Sequence, residues 1–171
     1  MKRQFTAGGV VYKRENSKGK DEPLWLITKS SPSEIFPTTF WRLPKGWLDD
    51  EDQGKNPGPK TTGEKKATEE EIREAAKREV REEGGVEAKI VKKIQTERFF
   101  ITYEGDRILK FITYFLMEYI SDLPEGFGFE TSEIAWLPYE EARNKLKHSS
   151  EKKILDKAKN ILDSGVQENL I

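Results

Sequence analysis

Three glutamates, Glu79, Glu82 and Glu83, stand at i, i+3 and i+4 in the run Arg78-Glu79-Val80-Arg81-Glu82-Glu83-Gly84-Gly85-Val86. At about 100° per residue, that spacing gathers their carboxylates on one face of a helix. There they repel one another, and they lie near the helix C-terminus, where the macrodipole also disfavours negative charge. Helix stability gains nothing from the arrangement. A divalent cation reverses the sign of both effects, and Mg²⁺ takes oxygen ligands in an octahedral shell completed by water and phosphate oxygens. Ala75 and Ala76, one turn earlier, leave room for an ion and its waters. The same spacing also suits a solvated face, with Glu74, Glu79, Glu82 and Glu83 paired to Lys77, Arg78 and Arg81. Pro44-Lys45-Gly46 shifts the balance, because a cation beside a glycine at a strand end lets backbone approach an anion.

The rest of the chain narrows the chemistry. With no Cys and one His in 171 residues, thiol nucleophiles, disulfide scaffolds, zinc fingers and Ser-His machinery are all but excluded. Lys+Arg 30 against Asp+Glu 31 argues against bulk-charge binding to long nucleic acid or to a membrane surface. No run of about 18 apolar residues is present, and the first residues form no apolar leader, so a cytoplasmic setting is expected. Aromatics at 11% and hydrophobic residues at 35% suffice for a buried core. One domain over residues 1–171 is expected.

The elements that must position the glutamates follow from pattern. Phe5 to Lys13 alternates as a strand, with Gly8-Gly9 marking a close backbone approach. A polar turn from Glu15 to Glu22 leads to a second strand at Leu24 to Lys29, making a hairpin. Ser30 to Thr39 is a loop, and Phe40 to Leu43 is a short strand stopped by Pro44-Lys45-Gly46. Residues 49–66 form a solvated, mobile polar insertion. Thr68-Glu69-Glu70-Glu71 is a capping box that starts the long helix, which Gly84-Gly85 ends.

Val86 to Ile94 reads as a strand, and Arg98 to Tyr103 with Arg107 to Tyr119 as a hairpin. In the second arm Leu109, Phe111, Thr113, Phe115 and Met117 form a core face. Lys110, Ile112, Tyr114, Leu116 and Glu118 form a mixed face suited to the wall of a cleft. A short strand at Glu133 to Leu137 and helices from Pro138 to Leu146 and Ser150 to Leu162 close the chain. Mixed strands and helices in this order make an α/β or α+β sandwich.

The glutamate run resembles the signature of the Nudix hydrolases, G-x5-E-x7-R-E-U-x-E-E-x-G-U, where U is a bulky aliphatic. Glu70, Arg78, Glu79, Val80, Glu82, Glu83, Gly85 and Val86 match every fixed position after the first glycine. Gly8-Gly9-Val10-Val11 and Leu43-Pro44-Lys45-Gly46 stand where that family has its first strand and its P-K-G turn. One spacer departs: Gly46 to Glu70 is 70 − 46 = 24 positions where the signature has 6, so the polar insertion falls inside the motif. Phe5-x-Ala7-Gly8-Gly9-Val10, Trp41-x-Leu43-Pro44-Lys45-Gly46, Lys110-x3-Tyr114-Phe115-Leu116 and Trp136-x4-Glu141-Ala142 are similar to the dinucleoside polyphosphate hydrolases of that family.

The resemblance implies an α/β/α sandwich around a mixed sheet, monomeric or homodimeric, and a reaction splitting diadenosine tetraphosphate into ATP and AMP. It implies Mg²⁺, with Mn²⁺ as a substitute. Glu79 and Glu83 would be the main ligands, Glu82 a ligand or catalytic partner, and a carbonyl at Lys45 or Gly46 a further ligand. Arg78 would orient a carboxylate, with Glu82 in reach at i+4, while Glu70 sits at the helix start in a structural role. The general base would be Glu130, with Glu133 and Glu118 as rivals. Lys45 and Lys110 are candidate phosphate clamps, Tyr103 and Tyr114 candidates to stack on adenine or bond a phosphate, and Arg42 an assistant. His148 reads as a surface residue. Alternatives are an RNA 5′ pyrophosphohydrolase, another nucleoside-diphosphate hydrolase, or a non-catalytic nucleotide-binding module.

Overall fold

A computed structural model of the chain describes residues 1–14, 22–34 and 37–165; most of the polar turn expected at Glu15 to Glu22 lies outside them. The strands are β1 (Lys2–Arg14), β2 (Pro23–Ser30), β3 (Trp41–Arg42), β4 (Lys45–Trp47), β5 (Asp50–Glu51), β6 (Asn56–Pro57), β7 (Val86–Tyr103), β8 (Asp106–Asp122) and β9 (Thr131–Leu137). The helices are α1 (Pro59–Thr62), α2 (Glu69–Gly84), α3 (Tyr139–Lys145) and α4 (Ser149–Asp163). The main sheet runs β3-β2-β1-β8-β7, with β4 added to β1 and β9 to β2. Only β1 and β8 pair in parallel, so the sheet is mixed. β5 and β6 form a separate two-stranded ribbon.

β1 is central and buried on both faces from Thr6 to Tyr12, which corrects the alternation expected of Phe5 to Lys13: both faces are core. Ala7 and Val11 join Leu26, Ala75, Ala76, Val80, Phe115 and Met117 under α2. Val10 and Tyr12 join Trp25, Ile27, Leu43, Tyr114, Leu116, Ile154 and Leu155 under α3 and α4. The result is the expected α/β/α sandwich. Its second core corrects one expectation: the mixed face of β8 is mostly packed against α4, with Tyr114 at 1% exposure, and is not the wall of an open cleft. A further correction concerns β7, which is one strand of 18 residues, because β-bulges absorb the breaks in pattern near Glu87, Ile90 and Lys93.

α2 starts and stops as its sequence demands. Thr68 Oγ1 accepts the Glu71 N–H at 3.1 Å and Glu71 Oε1 accepts the Thr68 N–H at 3.0 Å, a reciprocal capping box. Gly85 closes the helix at φ 69°, a left-handed geometry that favours glycine. The two adjacent glycines of β1 serve the site directly. A Cβ on Gly9 would lie 2.6 Å from Val80 of α2, and one on Gly8 would lie 2.5 Å from the Pro44 carbonyl. β1 can therefore lie close to both the carboxylate helix and the Pro44 turn.

The polar insertion is more ordered than its composition suggests. Asp49 accepts the N–H groups of Lys60 and Thr61 at 3.0 and 2.9 Å, capping α1, and the fully buried Thr61 donates back to the Asp49 carbonyl at 2.8 Å. Lys60 then pairs with Glu71, which fastens the insertion to the start of α2. Capping of this kind leaves no hydrophobic period to read. Asp49→Ala is expected to destabilise the protein by about 1–2 kcal/mol. That loss would appear as a fall of several degrees in melting temperature and as faster proteolytic cutting within 49–66.

Candidate active site

α2 delivers the three glutamates at its C-terminal end, and they separate by burial. Glu83 is 3% exposed and Glu79 9%, while the Glu82 side chain is largely in solvent. Burial pushes the Glu79 carboxyl up to about 8, helped by repulsion from Glu83 and Glu82, with Arg78 pulling the other way. Burial also pushes Glu83 up to about 7, against the pull of Arg42 and of the Lys45 main chain. Gly46 of β4 lies directly over Glu79, so closely that a Cβ there would fall 2.3 Å from its carboxyl group. The Lys45 N–H donates to Glu83 Oε1 at 3.1 Å, and Arg42 Nη2 stands 3.7 Å from Glu83 Oε2.

Arg78 does more than face Glu82, which it meets at 3.9 Å. Its Nη2 donates to the Trp47 carbonyl at 2.7 Å and lies 3.4 Å from Glu79 Oε1, and both terminal nitrogens reach the Leu48 carbonyl at 3.3 Å. Arg78 thus ties α2 to the strand that carries Gly46. Spacing within a helix shows only the i+4 partner, so sequence reasoning missed this contact.

Glu130 sits in the loop before β9. The Glu130 carbonyl accepts the Ser31 N–H at 2.9 Å and Arg42 Nη2 at 3.2 Å, and Gly128 N–H donates to the Glu82 carbonyl at 2.6 Å. The exposed Glu130 side chain lines a cavity of about 500 Å³ with Arg78, Glu82 and Glu83, and its charge adds to the upward pull on Glu83. Its rivals are engaged elsewhere: Glu133 with Lys29 at 3.9 Å and Glu118 with Lys89 at 3.4 Å. Phe127 and Phe129 line the same cavity, and Phe129, 89% exposed, also lines an adjoining one of about 370 Å³ with Arg42 and Phe40. These aromatics were also missed; their signal was the exposed Phe pair in a Pro/Gly loop.

The remaining expected residues divide. Lys45 Nζ is held by Glu151 at 3.0 Å, and Lys110 lies near it, its ammonium pulled down by burial and by the Lys45 charge. Tyr114, aligned with Gly8 on β8, is buried with its hydroxyl raised well above its usual value, so its ring is not free to stack on a ligand. Tyr103 is at the far end of the β7–β8 hairpin opposite Asp106, eight residues from Tyr114 along β8, about 26 Å at strand rise. It lines a separate cavity with the insertion and the chain start, away from the glutamates. Glu70 is exposed and pairs with Arg73 at 3.8 Å. His148 precedes α4 and meets the Phe40 ring edge-on.

The donor set fits a hard divalent cation. Glu79 and Glu83 are adjacent oxygen donors with repulsion that a cation relieves, and glycine backbone lies over one of them. Among the described residues no three acidic or imidazole groups converge into a closed cage. Glu79, Glu82 and Glu83 turn instead toward Arg78, Arg42 and the Lys45 N–H.

Relatives place this geometry. The chain is 23% identical over 124 residues, 72% of its length, to a candidate mutator protein, MutT4, of Mycobacterium tuberculosis, and spans 43% of that relative. Its fold matches an Ap4A hydrolase binary complex of C. elegans at a TM-score of 0.58, 19% identity, covering 94% of this chain and 98% of the other. It matches a NUDIX hydrolase from Nitrosomonas europaea at 0.62, 18% identity, covering 91% and 87%. The NUDIX domain of Shewanella oneidensis NrtR, complexed with ADP ribose, matches at 0.56, 13% identity, covering 94% and 88%. The family profile of the NUDIX domain spans residues 2–158 and takes in the whole carboxylate face, its turn and its loop, so the chain belongs to the NUDIX family.

Proposed function

We propose that the protein hydrolyses a phosphoanhydride bond of dinucleoside polyphosphates, taking diadenosine tetraphosphate to ATP and AMP with Mg²⁺ or Mn²⁺. The observation that carries the reading is the buried pair Glu79 and Glu83, the first pressed against Gly46 and the second bordering a cavity lined by Glu130. A binding-only module has no use for two buried, mutually repelling carboxylates, whose burial is costly. Glu79 and Glu83 would hold the cation, with Glu82 and a Gly46 carbonyl as further oxygen donors. Once bound, such a cation neutralises phosphoryl oxygens and lowers the pKa of water.

The protein's own groups do the rest. Arg78 locks α2 to β4, and Arg42 stands between Glu83 and the Glu130 loop; Glu130 would take a proton from an attacking water. Phe127 and Phe129 offer exposed rings to a purine, and two adjoining cavities that share Phe129 and Glu130 suit a substrate with a nucleoside at each end. A cytoplasmic setting fits, and among the described residues no helix is long and apolar enough to cross a membrane.

Ranking kcat/KM for diadenosine tetraphosphate, 5′-triphosphorylated RNA and ADP-ribose tests the substrate class. The dinucleotide should lead by about tenfold or more, a factor that corresponds to about 1.4 kcal/mol. A lead for RNA would overturn the substrate while leaving the site intact. Glu130→Gln should lower kcat by about a hundredfold, as loss of a general base does. Glu133→Gln and Glu118→Gln, tied to surface lysines, should stay close to wild type.

A further inference from the structure

Glu151 lies in the first turn of α4, on the opposite side of the sheet from α2. A glutamate there gains from the helix dipole even on the surface. This one is 2% exposed, and burying a carboxylate is costly unless it is well paired. Its Oε2 accepts the Leu43 N–H at 3.1 Å and Lys45 Nζ at 3.0 Å; its Oε1 is buried without a hydrogen-bond partner. A carboxylate placed only for packing would not be left half satisfied. What it holds is the three-residue segment Leu43 to Lys45.

The other side of that segment meets the carboxylate helix. The Lys45 N–H donates to Glu83, the Pro44 carbonyl accepts the Gly9 N–H at 3.1 Å, and Gly46 lies on Glu79. We propose that Glu151 is a positioning residue that sets the Pro44-Lys45-Gly46 turn from the side of the sheet opposite the carboxylate helix. Through Leu43 it fixes where the Lys45 N–H meets Glu83, and through its charge it fixes where the Lys45 ammonium stands for an incoming polyphosphate. This rests on Glu79 and Glu83 being the cation's carboxylates.

The test uses Glu151→Ala and Glu151→Gln beside wild type. Mn²⁺ binding is measured by electron paramagnetic resonance without substrate, together with melting temperature, KM and kcat. Glu151→Ala releases the turn and should weaken Mn²⁺ binding by about tenfold, as loss of an outer-shell partner does. Glu151→Gln keeps an acceptor for Leu43 but gives Lys45 no charge. It should bind Mn²⁺ like wild type and raise KM by about fivefold with kcat little changed, the pattern of lost uniform binding.

A folded Glu151→Ala that binds Mn²⁺ like wild type overturns the proposal, since a contact that only packs would lower the melting temperature alone. So does a Glu151→Gln whose KM is unchanged or lower, and that variant decides the matter if Glu151→Ala does not fold. Wild type that binds no Mn²⁺ overturns the carboxylate reading itself and this proposal with it. Wild-type binding with unaffected variants overturns this proposal alone.

Discussion

Glu83→Gln is expected to lower kcat by about a thousandfold and to leave the protein folded. Glu83 is the more buried of the two buried glutamates of α2, and its amide isostere still offers an oxygen to the Lys45 N–H. The substitution therefore removes charge and little else. A thousandfold loss is about 4 kcal/mol of transition-state stabilisation, within reach of one charge in a water-poor site that must neutralise a polyphosphate. The melting temperature of the metal-free variant should equal or exceed that of wild type, because a carboxyl group pushed up to about 7 by burial is a cost in the charged form. Glu70→Gln is the control: this motif residue is exposed, pairs with Arg73 among the described residues and should lose less than twofold. Steady-state kinetics and a thermal melt on the same samples check all of this, and Glu83→Gln retaining a tenth of wild-type kcat would contradict it.

Metal-free protein is expected to lose stability as pH rises from about 5 to about 8, and Mg²⁺ to offset part of the loss. Glu79 and Glu83 have folded values of about 8 and about 7 against an ordinary 4.5. Between those values the folded state binds more protons than the unfolded state, so unfolding free energy falls with pH. The contribution is fully present below about pH 4.5 and lost as pH passes through 7 and 8, on the order of several kcal/mol for the pair. Glu71, lowered to about 2 by Lys60 and Thr68, has the opposite sign but acts only below its ordinary 4.5, outside that window. Mg²⁺ binds the charged form, so at a hundred times its dissociation constant it would restore about 2.7 kcal/mol at pH 8 and much less at pH 6, where protons compete. Urea melts at pH 5.5, 7 and 8.5, in chelator and in Mg²⁺, show the pattern; a flat stability in chelator would contradict it.

Local chemistry made much of this molecule legible from sequence. The Thr68 capping box, the left-handed Gly85 and the i, i+3, i+4 glutamates depend on neighbours within a turn or two, and α2 formed as they required. Gly8 and Gly9 signalled close approach because only a missing side chain permits it. What stayed hidden was tertiary. The alternation of β8 separates two faces but does not say that α4 covers the second, so Tyr114 read as a cleft residue and is core. Glu151 reads as an ordinary first-turn acid, and its partners Leu43 and Lys45 lie more than a hundred residues earlier in the chain. Arg78's grip on the Trp47 and Leu48 carbonyls uses main-chain acceptors, which every residue type presents alike.

The reaction proposed for the carboxylate face of α2 is asymmetric cleavage of a nucleotide polyphosphate with a divalent cation. It is tested most directly by incubating wild type with diadenosine tetraphosphate in Mg²⁺ and in excess chelator, then resolving the nucleotides by anion exchange. Equal amounts of ATP and AMP are expected with Mg²⁺ and none in chelator. ADP as the sole product, turnover that persists in chelator, or no turnover of the dinucleotide would contradict it.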